Sequence, residues 1–297
     1  MNSTTQPVVS AEAPRGCIVS GTTWLRASVL ALLTGWLYAP ILARLVEQWW
    51  HDPDFSHGFL VPLFSLFVLW KDRARVVRVR PAPSSWGLLI VSFGLFLLIA
   101  GVLGAELFLS RISLLFLLAG VIIFFRGWRL FRTLLFPWAF LFLMIPIPAI
   151  IFNQITFPLQ LLASKLAAAA LPLLGVPVLR EGNIINLPAL PLEVAEACSG
   201  IRSLLSLVTL SIVYGYLLEP RIWIRVLLAL ASIPIAVAAN SLRIVGTGLL
   251  VQHLGPEAAE GFFHAFSGWI VFIVSLFLLF ALHRLFMLVT GPAKDNS

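Results

Sequence analysis

The chain has 297 residues, 60% of them hydrophobic and 11% charged, whereas water-soluble domains carry roughly 45 to 50% apolar and about 25% charged residues. With a mean hydropathy of +1.00, a soluble globular fold is excluded and lipid is the expected solvent. The net charge of +7 is spread over short clusters between apolar runs, which points to membrane topology signals and away from nucleic acid as a partner.

Residues 1–21 are polar and lack the basic start and apolar stretch of a cleavable signal, so the first hydrophobic segment is expected to stay as an anchor. A helix needs roughly 20 apolar residues to cross about 30 Å of hydrocarbon, and continuous apolar runs favour helices over barrel strands. The runs predict an all-α polytopic transmembrane bundle over residues 22–289, with eight crossings. These are Trp24–Val46, His57–Trp70, Trp86–Ala105, Leu107–Phe125, Leu130–Ile150, Cys198–Leu218, Ile222–Leu242 and Phe262–Val289. Between the fifth and sixth, Thr156–Gly175 contains Gln160, Ser164, Lys165 and two prolines, which reads as an interfacial or re-entrant helix. Residues 176–197 mix Pro177, Gly182, Asn183, Pro188 and Pro191 with Ile, Leu and Val; they read as a folded loop with short extended pieces, placed to receive a substrate. No internal repeat is apparent.

Lys and Arg in short loops favour the cytoplasmic side. Lys71, Arg73, Arg75, Arg78 and Arg80 put the second connection inside, and Arg126, Arg129, Arg132, then Arg221 and Arg225, then Arg284 and Lys294 agree. Both termini, including the tail 290–297, are then cytoplasmic. The loop with His51, Asp52 and Asp54 and the loop 176–197 lie outside.

With that topology, the outer ends of the last three crossings carry Cys198, Asn240 with Arg243, and His264. Each has a bland reading alone: a packing cysteine, a snorkelling arginine, a polar cap. Polar groups sharing one membrane depth point instead to a cavity with a purpose. A helix N-terminus and nearby cations lower a thiol's pKa toward the nucleophilic thiolate, and Arg202 lies one turn beyond Cys198. His264 is the candidate acid/base, since His283 lies at the opposite end and His253 in a loop. Arg243 keeps its proton and is the candidate stabiliser of a thiolate or oxyanion. Asn240, three residues before Arg243, is placed to hold the guanidinium or simply to pack helices. Glu193 and Glu196 are placed to orient His264 or bind a substrate amine, or are solvated loop carboxylates. Asp54, Ser56, His57 and Gly58 mark a helix start lining the same vestibule. Cys17 has no such neighbours, no spacing fits a metal site, and no cofactor is expected.

At these residues the chain resembles the exosortase/archaeosortase family of membrane-embedded cysteine transpeptidases. The matching segments are Glu196-Ala-Cys-Ser-Gly-Ile-Arg-Ser203, Ala239-Asn-Ser-Leu-Arg-Ile244 and His264 to Gly268-Trp269, with Asp54 to Trp70, Phe136 to Pro148 and Pro158-Leu-Gln160 also similar. The resemblance runs from about Asp54 to Trp269 and, through His264, favours the bacterial exosortase branch. It implies a bacterial cytoplasmic (inner) membrane location and exported protein substrates ending in a Pro-Glu-Pro type motif, a transmembrane helix and a basic tail. It further implies that Cys198 forms a thioester, with Arg243 and His264 completing the triad, and a link to exopolysaccharide export. The extra C-terminal domain of some exosortases is not expected here. Two other readings remain at this point: a non-catalytic component of a polysaccharide or lipid export system, and a membrane acyltransferase using a lipid thioester.

Overall fold

The computed structural model describes residues 21–188, 190–194, 200–255 and 261–291, with the backbone alone for residues 21–24, 26, 27, 193, 200, 201, 261–265 and 267. Two compact units are present, residues 1–43 and 44–297. The first contributes the opening turns of helix α1, Gly21–His51, and the candidate site lies in the second.

Asp52 and Pro53 end α1 and start a 3₁₀ turn, Pro53–Phe59, whose first turn is capped by the Asp52 carboxylate accepting from the Asp54 N–H at 3.0 Å. The turn feeds α2, Leu60–Lys71, and a short basic α3, Arg73–Arg78. Helices α4, Trp86–Leu103, and α5, Leu107–Arg126, form a tight antiparallel pair. Their closeness is written in Gly87, Gly94 and Gly101, one every second turn: a methyl on Gly87 would strike the Phe124 backbone, and one on Gly101 would strike Ser110. Small residues bring backbones together where lipid offers no hydrophobic drive to association.

The expected single crossing Leu130–Ile150 is broken instead into α6, Trp128–Thr133, α7, Leu135–Phe140, and a 3₁₀ turn, Leu141–Met144. Two features account for the breaks. Gly127 adopts φ 88° against the Ala82 carbonyl, a conformation and a closeness that only glycine tolerates. Pro137 cannot donate an N–H, so it suits the first turn of a restarted helix rather than the middle of a long one. The pieces still traverse the bundle: Phe136 stacks on Tyr216 at one end, 4.1 Å between ring centres, and the Met144 carbonyl accepts from Trp49 Nε1 at the other, at 2.9 Å.

Helix α8, Ala149–Leu173, is one of seven helices among the described residues long and apolar enough to cross a membrane. It begins where Phe152 meets Phe55 of the first 3₁₀ turn. From there it follows the last turns of α10, Ile222–Leu254, burying Ala163, Ala167 and Leu171 with Ile244, Val245 and Val251. At 33 residues, α10 is roughly 50 Å long against about 30 Å of hydrocarbon, so a good third of it overhangs. The expectation that α10 stops near Leu242 is thus corrected: the helix runs through Pro234 and on to Gly255, at φ 94°, and His253 sits in its final helical turn rather than in a loop.

The loop after α8 is folded, as expected. Strands β1, Leu179–Glu181, β2, Ile184–Asn186, and β3, Pro191–Glu193, form an antiparallel meander. The register pairs Glu181 with Ile184 across a two-residue turn and Ile185 with Leu192. Ile185 and Leu192 are both buried and join the α8–α10 core. Helices α9, Gly200–Leu218, and α11, Gly261–Thr290, complete the bundle beside α10.

The end opposite Trp49 and Met144 is basic and tied by ion pairs. Glu219, fully buried between α9 and α10, accepts from Arg221 Nε at 2.7 Å and contacts His283 Nε2 of α11 at 3.1 Å. His283 Nδ1 lies 2.7 Å from Tyr214 Oη, and Arg221 donates to Thr290 Oγ1 at 2.7 Å. The Arg221 hydrogen bonds hold the Glu219 carboxyl at a pKa of about 2.

Candidate active site

Helix α10 positions the site's cation. Asn240 and Arg243 sit nearly one turn apart and are both buried, 6% and 9% exposed. Arg243 turns toward α11: a methyl placed on Gly268 would stand 3.6 Å from Arg243 Nη2 and 3.7 Å from its Cζ, ordinary van der Waals contact. The guanidinium therefore faces Gly268 with room for about one methyl group between them. His264 precedes Gly268 by four residues, and i, i+4 positions share a helix face. The backbone of His264 is in the first turn of α11; its side chain lies outside the described residues.

Asn240 faces the other way, lining a crevice of about 20 Å³ with Thr156 and Gln160 of α8 and Leu204 of α9. Because α9 and α10 are antiparallel, the pairing of Leu204 with Asn240 sets Arg243 level with the first residues of α9. Cys198, two residues before α9 begins, and Glu196 lie outside the described residues, as does the Glu193 side chain. Arg202, in the first turn of α9, is half-exposed and donates through Nε to Asp54 Oδ1 at 3.3 Å. That bond clamps the start of α9 to the 3₁₀ turn. Beside it His57 is 8% exposed, with Nδ1 buried and unpartnered.

The structure thus gathers Arg243, Asn240, Arg202, Asp54 and His57 at one end of the bundle, with Gly268 of α11, one turn after His264, facing Arg243. The partnership of Asp54 with Arg202 was not legible in the sequence, since 148 residues separate them. Nor was the contribution of Thr156 and Gln160; their polarity within an apolar helix was the available signal.

Residues 49–281 match the family model of the transmembrane exosortase. The chain belongs to that family. Membership implies a membrane transpeptidase of the cysteine type, and the match spans every described residue of this exosortase site. No curated protein matches the chain, and no solved structure matches it.

Proposed function

We propose that this exosortase-family chain cleaves the C-terminal sorting signal of exported proteins at the outer face of the bacterial cytoplasmic membrane, through a thioester on Cys198. The observation that carries the reading is the Arg243 guanidinium facing Gly268 of α11, four residues after His264. The thiolate of Cys198 attacks the scissile carbonyl carbon, and Arg243, which keeps its proton, faces the oxyanion. His264 takes the thiol proton and gives it to the amine as the C–N bond breaks. An acceptor nucleophile then attacks the thioester, its proton passing through His264 back to the departing thiol. Arg202, Asn240 and Glu196 support this arrangement, and the link to exopolysaccharide export follows from the family alone.

The topology that accompanies this reading has eight crossings and both termini cytoplasmic. In this topology helix α8 stays on the outer side in spite of its length, packed through Ala163, Ala167 and Leu171 against the last turns of α10 and the β-meander. The arginines at the Glu219 end then face the cytoplasm.

The test is processing of a reporter ending in a Pro-Glu-Pro motif, a membrane-spanning helix and an arginine tail, co-expressed with the chain. Cys198→Ala, Arg243→Ala and His264→Ala are each expected to abolish cleavage with insertion intact, and a peptide thioester is expected on Cys198 by mass spectrometry. Cleavage retained in Cys198→Ala would sink the reading and favour a non-catalytic export component. An acyl chain on Cys198 would make the chain an acyltransferase.

A further inference from the structure

Directly below Arg202, one face of α9 lines a groove. Ser206, Thr209, Leu210 and Val213 recur at helical spacing, and with α2 and with Phe272 of α11 they border a cavity of about 540 Å³. Ser206 follows Arg202 by four residues, so the groove continues the face of α9 that carries Arg202. From Ser206 to Val213 it descends roughly 10 Å. Ser56 and His57 close its upper end, and the buried Nδ1 of His57 has no partner.

We propose that this groove seats the membrane-spanning helix of the substrate, so that the peptide bond next to that helix is delivered to Cys198; the inference rests on the transpeptidase reading. The walls belong to bundle helices, and Leu63, Phe64 and Phe272 require an apolar occupant. A lipid tail would satisfy them, but it offers nothing to Ser206 and Thr209, and polar groups at membrane depth are costly unless they serve a partner. A helix presents both apolar side chains and polar atoms, and transmembrane helices associate through such mixed contacts. The space is too small to enclose a helix and suits the side chains along one of its faces. A helix lying there runs parallel to α9, with its N-terminal end beside Arg202 and the start of α9.

Photocrosslinking decides this in intact membranes. Benzophenone-phenylalanine is placed at Leu210 or Val213 of full-length Cys198→Ala protein, with a control at Leu89 of α4, an exposed position. The partner is the reporter described above, whose helix is a Leu/Ala segment of roughly 20 residues. Adducts with the reporter helix at least tenfold stronger at Val213 than at Leu89 are expected. Lipid adducts alone at Val213, with Cys198-dependent cleavage of the reporter intact, would overturn the groove and leave the transpeptidase reading standing. Adducts at Val213 without any Cys198-dependent cleavage would keep the groove and remove that reading. Thr209→Trp, which fills the groove, is expected to cut the adducts at least tenfold while Cys198, where present, still reacts with an outer-face maleimide. Undiminished adducts in Thr209→Trp would overturn the groove, and should that variant fail to insert, the crosslinking comparison stands by itself.

Discussion

The guanidinium of Arg243 lies against Gly268, one turn of α11 beyond His264. A methyl at Gly268 would just touch the guanidinium, so a bulky side chain there is expected to press on the cation. Gly268→Ala is expected to keep activity within about twofold, because its Cβ makes only ordinary contact. Gly268→Leu is expected to lose roughly 100-fold, the order of removing one oxyanion donor, with membrane insertion unchanged. Reporter cleavage in membranes of equal protein content distinguishes the two; equal activity in both would show that Arg243 need not sit there.

The Arg202–Asp54 pair offers a second handle. Arg202 is half-exposed, so the pair stabilises the fold by about 0 to 1 kcal/mol at most. Asp54→Asn should leave thermal stability in detergent nearly unchanged. It should nonetheless slow cleavage roughly tenfold, because the start of α9, just after Cys198 in sequence, loses its clamp. The exchange Asp54→Arg with Arg202→Asp is expected to recover part of that loss. If Asp54→Asn processes the reporter at the wild-type rate, the clamp has no part in positioning.

At the opposite end, Glu219 holds α9, α10 and α11 together. Its folded pKa of about 2 lies below the value of 4.5 usual for glutamate, chiefly because Arg221 hydrogen-bonds the carboxylate. A depressed acid contributes stability that is complete above the unfolded value and is lost as pH falls through the folded one. Thermal stability in detergent should therefore fall between about pH 4.5 and pH 2. Glu219→Gln should remove that part of the slope and cost about 3 to 5 kcal/mol at neutral pH, as truncating one member of a buried ion pair does. An unchanged acid profile in Glu219→Gln would assign the slope to other carboxylates.

Gly127 supplies a prediction about the fold alone. Its φ of 88° and its contact with the Ala82 carbonyl leave no room for a side chain. Gly127→Ala is expected to cost about 1 to 3 kcal/mol from the left-handed backbone alone, and more from the clash. Thermal unfolding in detergent measures it, and a cost below about 0.5 kcal/mol would mean that the α5–α6 junction rearranges freely.

Where apolar runs were continuous, as in α4, α5 and α11, helix limits were legible within a few residues, because lipid leaves an uninterrupted apolar stretch few alternatives. Leu130–Ile150 was also an apolar run but did not fold as one helix. The determinants there were a left-handed glycine set by a carbonyl from another loop and a proline whose acceptable place depends on where a helix restarts. Hydropathy is equally blind to what α8 packs against. Its small residues Ala163, Ala167 and Ala170 pack on the last turns of α10 and the β-meander.

The sequence alone determined that this chain is a helical membrane protein, since apolar length and charge spacing act locally along the chain, and it singled out Cys198, Arg243 and His264 as the candidate site residues. Only the tertiary structure decided that Arg243 leans on Gly268, that Asp54 reaches Arg202, and that the face of α9 below them is an open groove. Those relationships depend on how helices distant in sequence rotate and pack against one another, and no local pattern of residues specifies that rotation.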